Sequence, residues 1–194
     1  MGKRVVFWLI ILILNVNQIV SAQGVGTVGF GYSKLSIDGE HGADLDGWGF
    51  ALHFQFWPGT EKEGLLARFG IQGTWNNGDS DLDPDNIFYS EKIWNVNMLT
   101  PQVEVGLRKE IGTSLFVEPS VAVGWAIALY EPRYIFDEED IATGLAVRPG
   151  LIIGLGSNRP CLGIDLSYGL VQIDFEDGVG DNNHDLYLGV CFRF

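Results

Sequence analysis

From residue 185 to residue 194 the chain alternates without a fault: Leu186, Leu188, Val190, Phe192 and Phe194 fall on one face, Asp185, Tyr187, Gly189, Cys191 and Arg193 on the other. A side-chain period of two belongs to a β-strand. The pattern recurs in 47–57, which sets Trp48, Phe50, Leu52, Phe54 and Phe56 against Gly49, Ala51, His53 and Gln55, and again in 65–75. Followed along the chain, it predicts eight strands at 24–37, 47–57, 65–75, 96–109, 115–130, 143–156, 162–173 and 185–194. Each is long enough to cross a bilayer at a tilt. The connections 58–64, 110–114 and 157–160 are short, whereas 38–46, 76–93, 131–142 and 174–184 are mostly longer.

The two faces differ in chemistry. One carries Ala67, Phe69, Ile71, Val103, Val105, Leu107, Val121, Val123, Trp125, Ile127, Leu151, Ile153, Leu155, Leu162, Ile164, Leu166 and Tyr168, with no charge among them. The other carries Arg68, Gln72, Gln102, Glu104, Arg108, Glu118, Arg148, Asp165 and Arg193 among many glycines and alanines. This predicts a closed eight-stranded antiparallel transmembrane β-barrel, greasy outside and polar inside. A soluble lipocalin-type barrel would show the reverse. Pro101, Pro119 and Pro149 stand mid-strand on the apolar face, where each removes a ladder donor, so bulges or ladder gaps are predicted there.

Composition supports export to a membrane. Lys3 and Arg4, the apolar run from Val5 to Leu14 and the small residues Val20-Ser21-Ala22 read as a signal peptide over 1–22, leaving 23–194 as one barrel domain. Loss of that segment makes a chain of net charge -13 two units more negative, which argues against a nucleic-acid partner. After Ala22 no apolar run reaches the roughly 18 to 20 residues of a membrane helix, although 46% of the chain is hydrophobic. Closed β-structure is the other way to span. Cys161 and Cys191 fall on one face of neighbouring strands; two unpaired thiols are expected, with a disulfide as the alternative.

The signal peptide, the eight-strand pattern and the ending Phe192-Arg193-Phe194 resemble the small outer-membrane barrels of the outer membrane protein A and X type. The resemblance implies an outer-membrane location in a Gram-negative bacterium, both termini periplasmic and four long loops outside. It also implies that Gly189, Phe192 and Phe194 form the terminal signal read by the barrel assembly machinery. Outer-membrane lipid and lipopolysaccharide are the expected surroundings, with the protein a monomer or weak oligomer. That superfamily holds stabilising proteins, adhesins, narrow pores and a few lipid-modifying enzymes, so the resemblance fixes architecture and not activity.

Candidate chemistry lies in the lumen and the loops. Arg68, Arg108, Arg148 and Arg193 are expected to face Glu104, Glu118 and Asp165 in an interior about wide enough for side chains to fill. The network is either a structural plug or a gate, and a gate predicts that Glu118→Ala raises conductance. The loops are acidic throughout: Asp38, Glu40, Asp44 and Asp46; Asp79, Asp81, Asp83 and Asp85; Asp137, Glu138, Glu139 and Asp140; Glu176, Asp177, Asp181 and Asp185. Asp79, Asp81, Asp83 and Asp85 alternate as in calcium loops, but position six is Pro84 and position twelve Ser90, which departs from an EF-hand. No cofactor is expected beyond that candidate Ca2+ site.

His41, Asp79 and Ser80 form the one candidate catalytic trio, similar in kind to the lipid A palmitoyltransferase, whose amphipathic N-terminal helix has no counterpart here. A lipid A deacylase reading lacks its His-Ser pair. His53 reads as a hydrogen-bonded lumen residue and His184 as a loop residue. Trp48, Trp75, Tyr130 and Tyr187, near strand ends, suit an interface girdle, while Trp94 or Tyr89 could stack on carbohydrate. The expected role is non-enzymatic, in envelope integrity or surface interaction, with a narrow channel for small or apolar solutes as the alternative and a lipid A-modifying acyltransferase third.

Overall fold

The computed structural model describes residues 25–38, 44–57, 63–77, 95–131, 140–156, 161–173 and 182–194. Residues 1–22, expected as a signal peptide, the candidate calcium loop, the trio His41, Asp79 and Ser80, and Tyr89 and Trp94 lie outside them. Alternation produces eight strands: β1 (Val25–Ser36), β2 (Asp44–Trp57), β3 (Gly64–Asn77), β4 (Asn95–Ile111), β5 (Leu115–Glu131), β6 (Asp140–Leu155), β7 (Cys161–Ile173) and β8 (Asn183–Arg193). Each pairs antiparallel with its sequence neighbours, and β1 pairs with β8, so the sheet closes in the order β1 to β8. Closure removes every edge. At the seam Gly26 and Phe194 exchange backbone hydrogen bonds of 3.1 and 3.0 Å. A Cβ on Gly26 would stand 2.5 Å from the Phe194 ring, so the terminal aromatic needs a glycine opposite it.

The three short connections lie at one end with both termini. Each uses a glycine at positive φ: Gly64 (136°), Gly112 (71°) and Gly156 (109°), values that a side chain would strain. The prolines leave ladder gaps without bulges. Between β4 and β5 the pairs jump from Leu99↔Ile127 to Gln102↔Gly124, and again from Gly106↔Ser120 to Lys109↔Val117. Between β6 and β7 they jump from Val147↔Leu170 to Gly150↔Ser167. Register is the same on both sides of every gap, so each proline loses its bond on one side only and keeps its partner on the other strand.

The apolar face points outward, with Phe69, Val103, Val105, Leu107, Val121, Val123, Trp125, Ile153, Leu162 and Ile164 exposed. Val123→Arg, at the middle of β5, is expected to cost about 2 to 4 kcal/mol in a bilayer. Urea unfolding of vesicle-reconstituted protein measures this; unchanged stability would place that face in water.

Toward the long-loop end the two faces exchange character. Outward positions become Lys34, Ser36, Asp44, Asp46, Asn95, Asn97, Thr143, Gln172 and His184. Inward positions become Leu35, Leu45, Val96, Met98, Tyr130, Ala142, Val171 and Ile173, all buried in one cluster. Strands of up to 17 residues exceed the roughly 9 to 11 that a bilayer needs. The surplus has the polarity of a barrel standing in water. This corrects the expectation of a lumen polar along its whole length. Asp44, Asp46, Asp140 and His184 likewise belong to strands and not to loops, and Asp185 lies in the last strand, where the alternation sets it.

Candidate functional site

The lumen is built in three layers. Nearest the short turns, Glu118 from β5 is the hub of three arginines. Arg68 Nη2 donates to its Oε2 at 2.6 Å, Arg108 Nη1 donates to its Oε1 at 3.0 Å, and Arg193 Nη1 donates to the same Oε1. Glu118 is 1% exposed and all three guanidinium groups are buried. Arg68 on β3, Arg108 on β4 and Arg193 on β8 all stand at inward, buried positions, from which their guanidinium groups converge on this carboxylate. Arg108 also stacks 3.9 Å above the Phe116 ring, and Arg193 donates to Gln55 at 2.6 Å. Planar forks allow this sharing, which an ammonium would do less well.

The middle layer is polar and looser. Arg148 donates through Nε and Nη2 to Asp185 at 3.1 and 2.9 Å, and reaches Thr100 at 3.2 Å and Gln102 at 3.4 Å. His53 Nε2 lies 3.6 Å from Glu104, which in turn stands 3.9 Å from Arg68. Arg148, Gln102, His53 and Glu104, with Asp165, Ser120 and Ser167, line a cavity of about 20 Å³. That is room for about one water molecule. His53 Nδ1 and Gln72 Nε2 have no protein partner, so the cavity is polar enough to hold it. Tyr187 fills the neighbouring space because Gly29, Gly49 and Gly189 leave room for its ring; a Cβ on Gly189 would lie 2.3 Å from the Tyr187 hydroxyl. Gly189, expected only as part of a terminal signal, thus has a packing role too.

The third layer is the apolar cluster of Leu35, Leu45, Val96, Met98, Val171 and Ile173 with its flanking alanines and Tyr130. It closes the lumen beneath the long loops. Beside it Ser33 donates to Asn76 at 2.8 Å.

The expected network Arg68, Glu104, Arg108, Glu118, Arg148, Asp165 and Arg193 is therefore brought together inside the barrel. It had a missing member. Asp185, counted above both in the last strand and among the loop acids, is inward and pairs with Arg148, so among the described residues four buried arginines face four buried carboxylates. The unbroken alternation that sets Asp185 opposite Leu186 carried that signal. The apolar layer was legible too, since Leu45 stands between Asp44 and Asp46, and Val96 between Asn95 and Asn97. Cys161 and Cys191 are buried thiols not joined in a disulfide, offset by two residues across β7 and β8. Among the described residues no three His, Cys, Asp or Glu side chains are placed to hold a metal ion.

No protein-family model matches the chain, and no curated protein matches it in sequence. Solved structures do. Neisserial surface protein A aligns over 87% of this chain and 97% of its own, with a TM-score of 0.57 at 9% identity. The fold is that of the small outer-membrane β-barrels. Similar coverage links it to Ail of Yersinia pestis, solved with the heparin analogue sucrose octasulfate, covering 88% and 99% of the two chains with a TM-score of 0.47 and 16% identity. The outer-membrane enzyme PagL covers 87% and 97%, with a TM-score of 0.40 and 12% identity. At these identities the likeness concerns architecture alone.

Proposed function

We propose that the chain is a non-enzymatic integral protein of the bacterial outer membrane, with a closed lumen, serving envelope integrity or surface interaction through its acidic loops. The observation that carries this reading is the filled lumen, which has an arginine hub at the short-turn end, a polar middle with room for about one water and an apolar layer at the long-loop end. A wall whose interior is spent on packing leaves the loops and the outer surface for function. The competing reading, a narrow channel, requires a continuous wet path through both closed layers.

Residues 23–194 refolded into planar bilayers are expected to give no discrete conductance. Only preparations whose folded band shifts on heating in a gel count. Stable openings from such protein would replace the scaffold with a pore.

A further inference from the structure

On one wall of the barrel, at the height where the outer face turns from apolar to polar, side chains of β7, β8, β1 and β2 are linked into a seam. We infer that this seam binds the saccharide headgroup of an outer-leaflet glycolipid through its sugar hydroxyls; the inference rests on the membrane reading above.

The register fixes the layout. Trp48 and Tyr32 face each other across β2 and β1 in the deepest row. One pair further out, Asp46 and Lys34 are opposite each other, and that row runs through Leu186 to Tyr168. The next row sets Asp44 against Ser36 and Ser36 against His184. Three strand spacings, about 14 Å, separate the two ends of the seam. This suits a headgroup of one or two sugar rings lying along the wall.

Hydrogen bonds hold these groups in place. The Tyr168 hydroxyl and His184 Nδ1 are 2.6 Å apart, and His184 Nε2 is 3.7 Å from Asp38. Lys34 donates to Asp44 at 2.9 Å, Ser36 donates to Asp44 at 2.6 Å, and Tyr32 donates to Asp46. All remain accessible from outside, and Trp48 is 73% exposed. The polar groups are thus ordered before any ligand arrives, which lowers the cost of binding.

Charge selects the ligand. Three carboxylates stand against Lys34 and His184, so the seam is negative even with the imidazole protonated. A bare phosphate is repelled. Neutral hydroxyls both donate and accept, which fits carboxylates, an ammonium, an imidazole and phenols side by side, while the exposed Trp48 and Tyr168 faces offer the apolar contact that a sugar ring makes. The same row beyond β2 provides the contrast. Continuing the Trp48 row around the barrel gives Trp75, Asn97, Leu129 and Ile141, with an aromatic but no charge.

The test uses residues 23–194 in phosphatidylcholine nanodiscs doped with native or dephosphorylated lipopolysaccharide, with native mass spectrometry counting glycolipid retained on heat-shifting protein. Retention of both forms is expected, falling about fivefold or more in Trp48→Ala and in the double variant Tyr168→Phe with His184→Ala, but not in Trp125→Ala, which removes an exposed aromatic from β5 across the barrel. Loss on dephosphorylation alone, equal loss in Trp125→Ala, or no retention at all would overturn the inference. Planar-bilayer conductance reads the closed-lumen proposal separately, so the two can fail independently.

Discussion

Glu118→Ala is expected to cost the folded barrel about 3 to 5 kcal/mol, because it leaves buried charge without its partner. Arg68, Arg108 and Arg193 all converge on this one carboxylate. Among the described residues, Arg68 alone of the three has a second carboxylate within reach, Glu104 at 3.9 Å. Removal of the hub sets three like charges against each other in a space closed to water. Urea unfolding of protein reconstituted in vesicles measures the loss, with the heat-shifted gel band as the check on folding. A change below about 1 kcal/mol would mean that solvent reaches the arginines and that the layer is not packed. Conductance is expected to stay at baseline in any Glu118→Ala protein that folds, since the apolar layer still closes the lumen above. The gate expectation drawn from sequence predicts the opposite.

The second large effect belongs to that apolar layer. Leu45 has no exposed surface and sits inward among Leu35, Val96, Val171 and their neighbours. Leu45→Ala is expected to cost about 2 to 5 kcal/mol through the cavity it leaves. Leu45→Asp is expected to cost at least about 2 kcal/mol more, because the carboxylate is buried with no partner for its charge. Urea midpoints of the two variants, compared at equal slope, give the difference. Were the loop-end lumen wet, Asp would be tolerated as well as Ala, and the layer described here would be wrong.

The barrel was legible because lipid imposes one rule on every strand. Alternation from Val103 to Leu107, from Val121 to Ile127 and from Leu162 to Leu166 admits no charge, and the structure points all of these outward. The prolines were legible as ladder defects, but their consequence depended on the neighbouring strand. Pro101 keeps its pairing with Ile71, which holds the register across the gap. The site was read less completely. Arginine and carboxylate positions followed from parity, yet parity cannot say which carboxylate three arginines share. That choice depends on height around the closed wall, which requires every register at once. The apolar layer was missed for a different reason. Alternation shows which face meets lipid but not where lipid ends, so the change of polarity beyond Trp48 looks like the start of a loop although the strands continue through it.

The face exchange at the loop end has a consequence for how this protein can change over time. Where Leu35, Leu45 and Val171 close their own core above the lipid, the roots of the long loops are tied to one another independently of what lies between them. Insertions, deletions and charge reversals in those segments need not disturb the membrane-embedded wall. Surface identity can therefore turn over quickly on a chassis that stays fixed, with novelty and assembly under separate control.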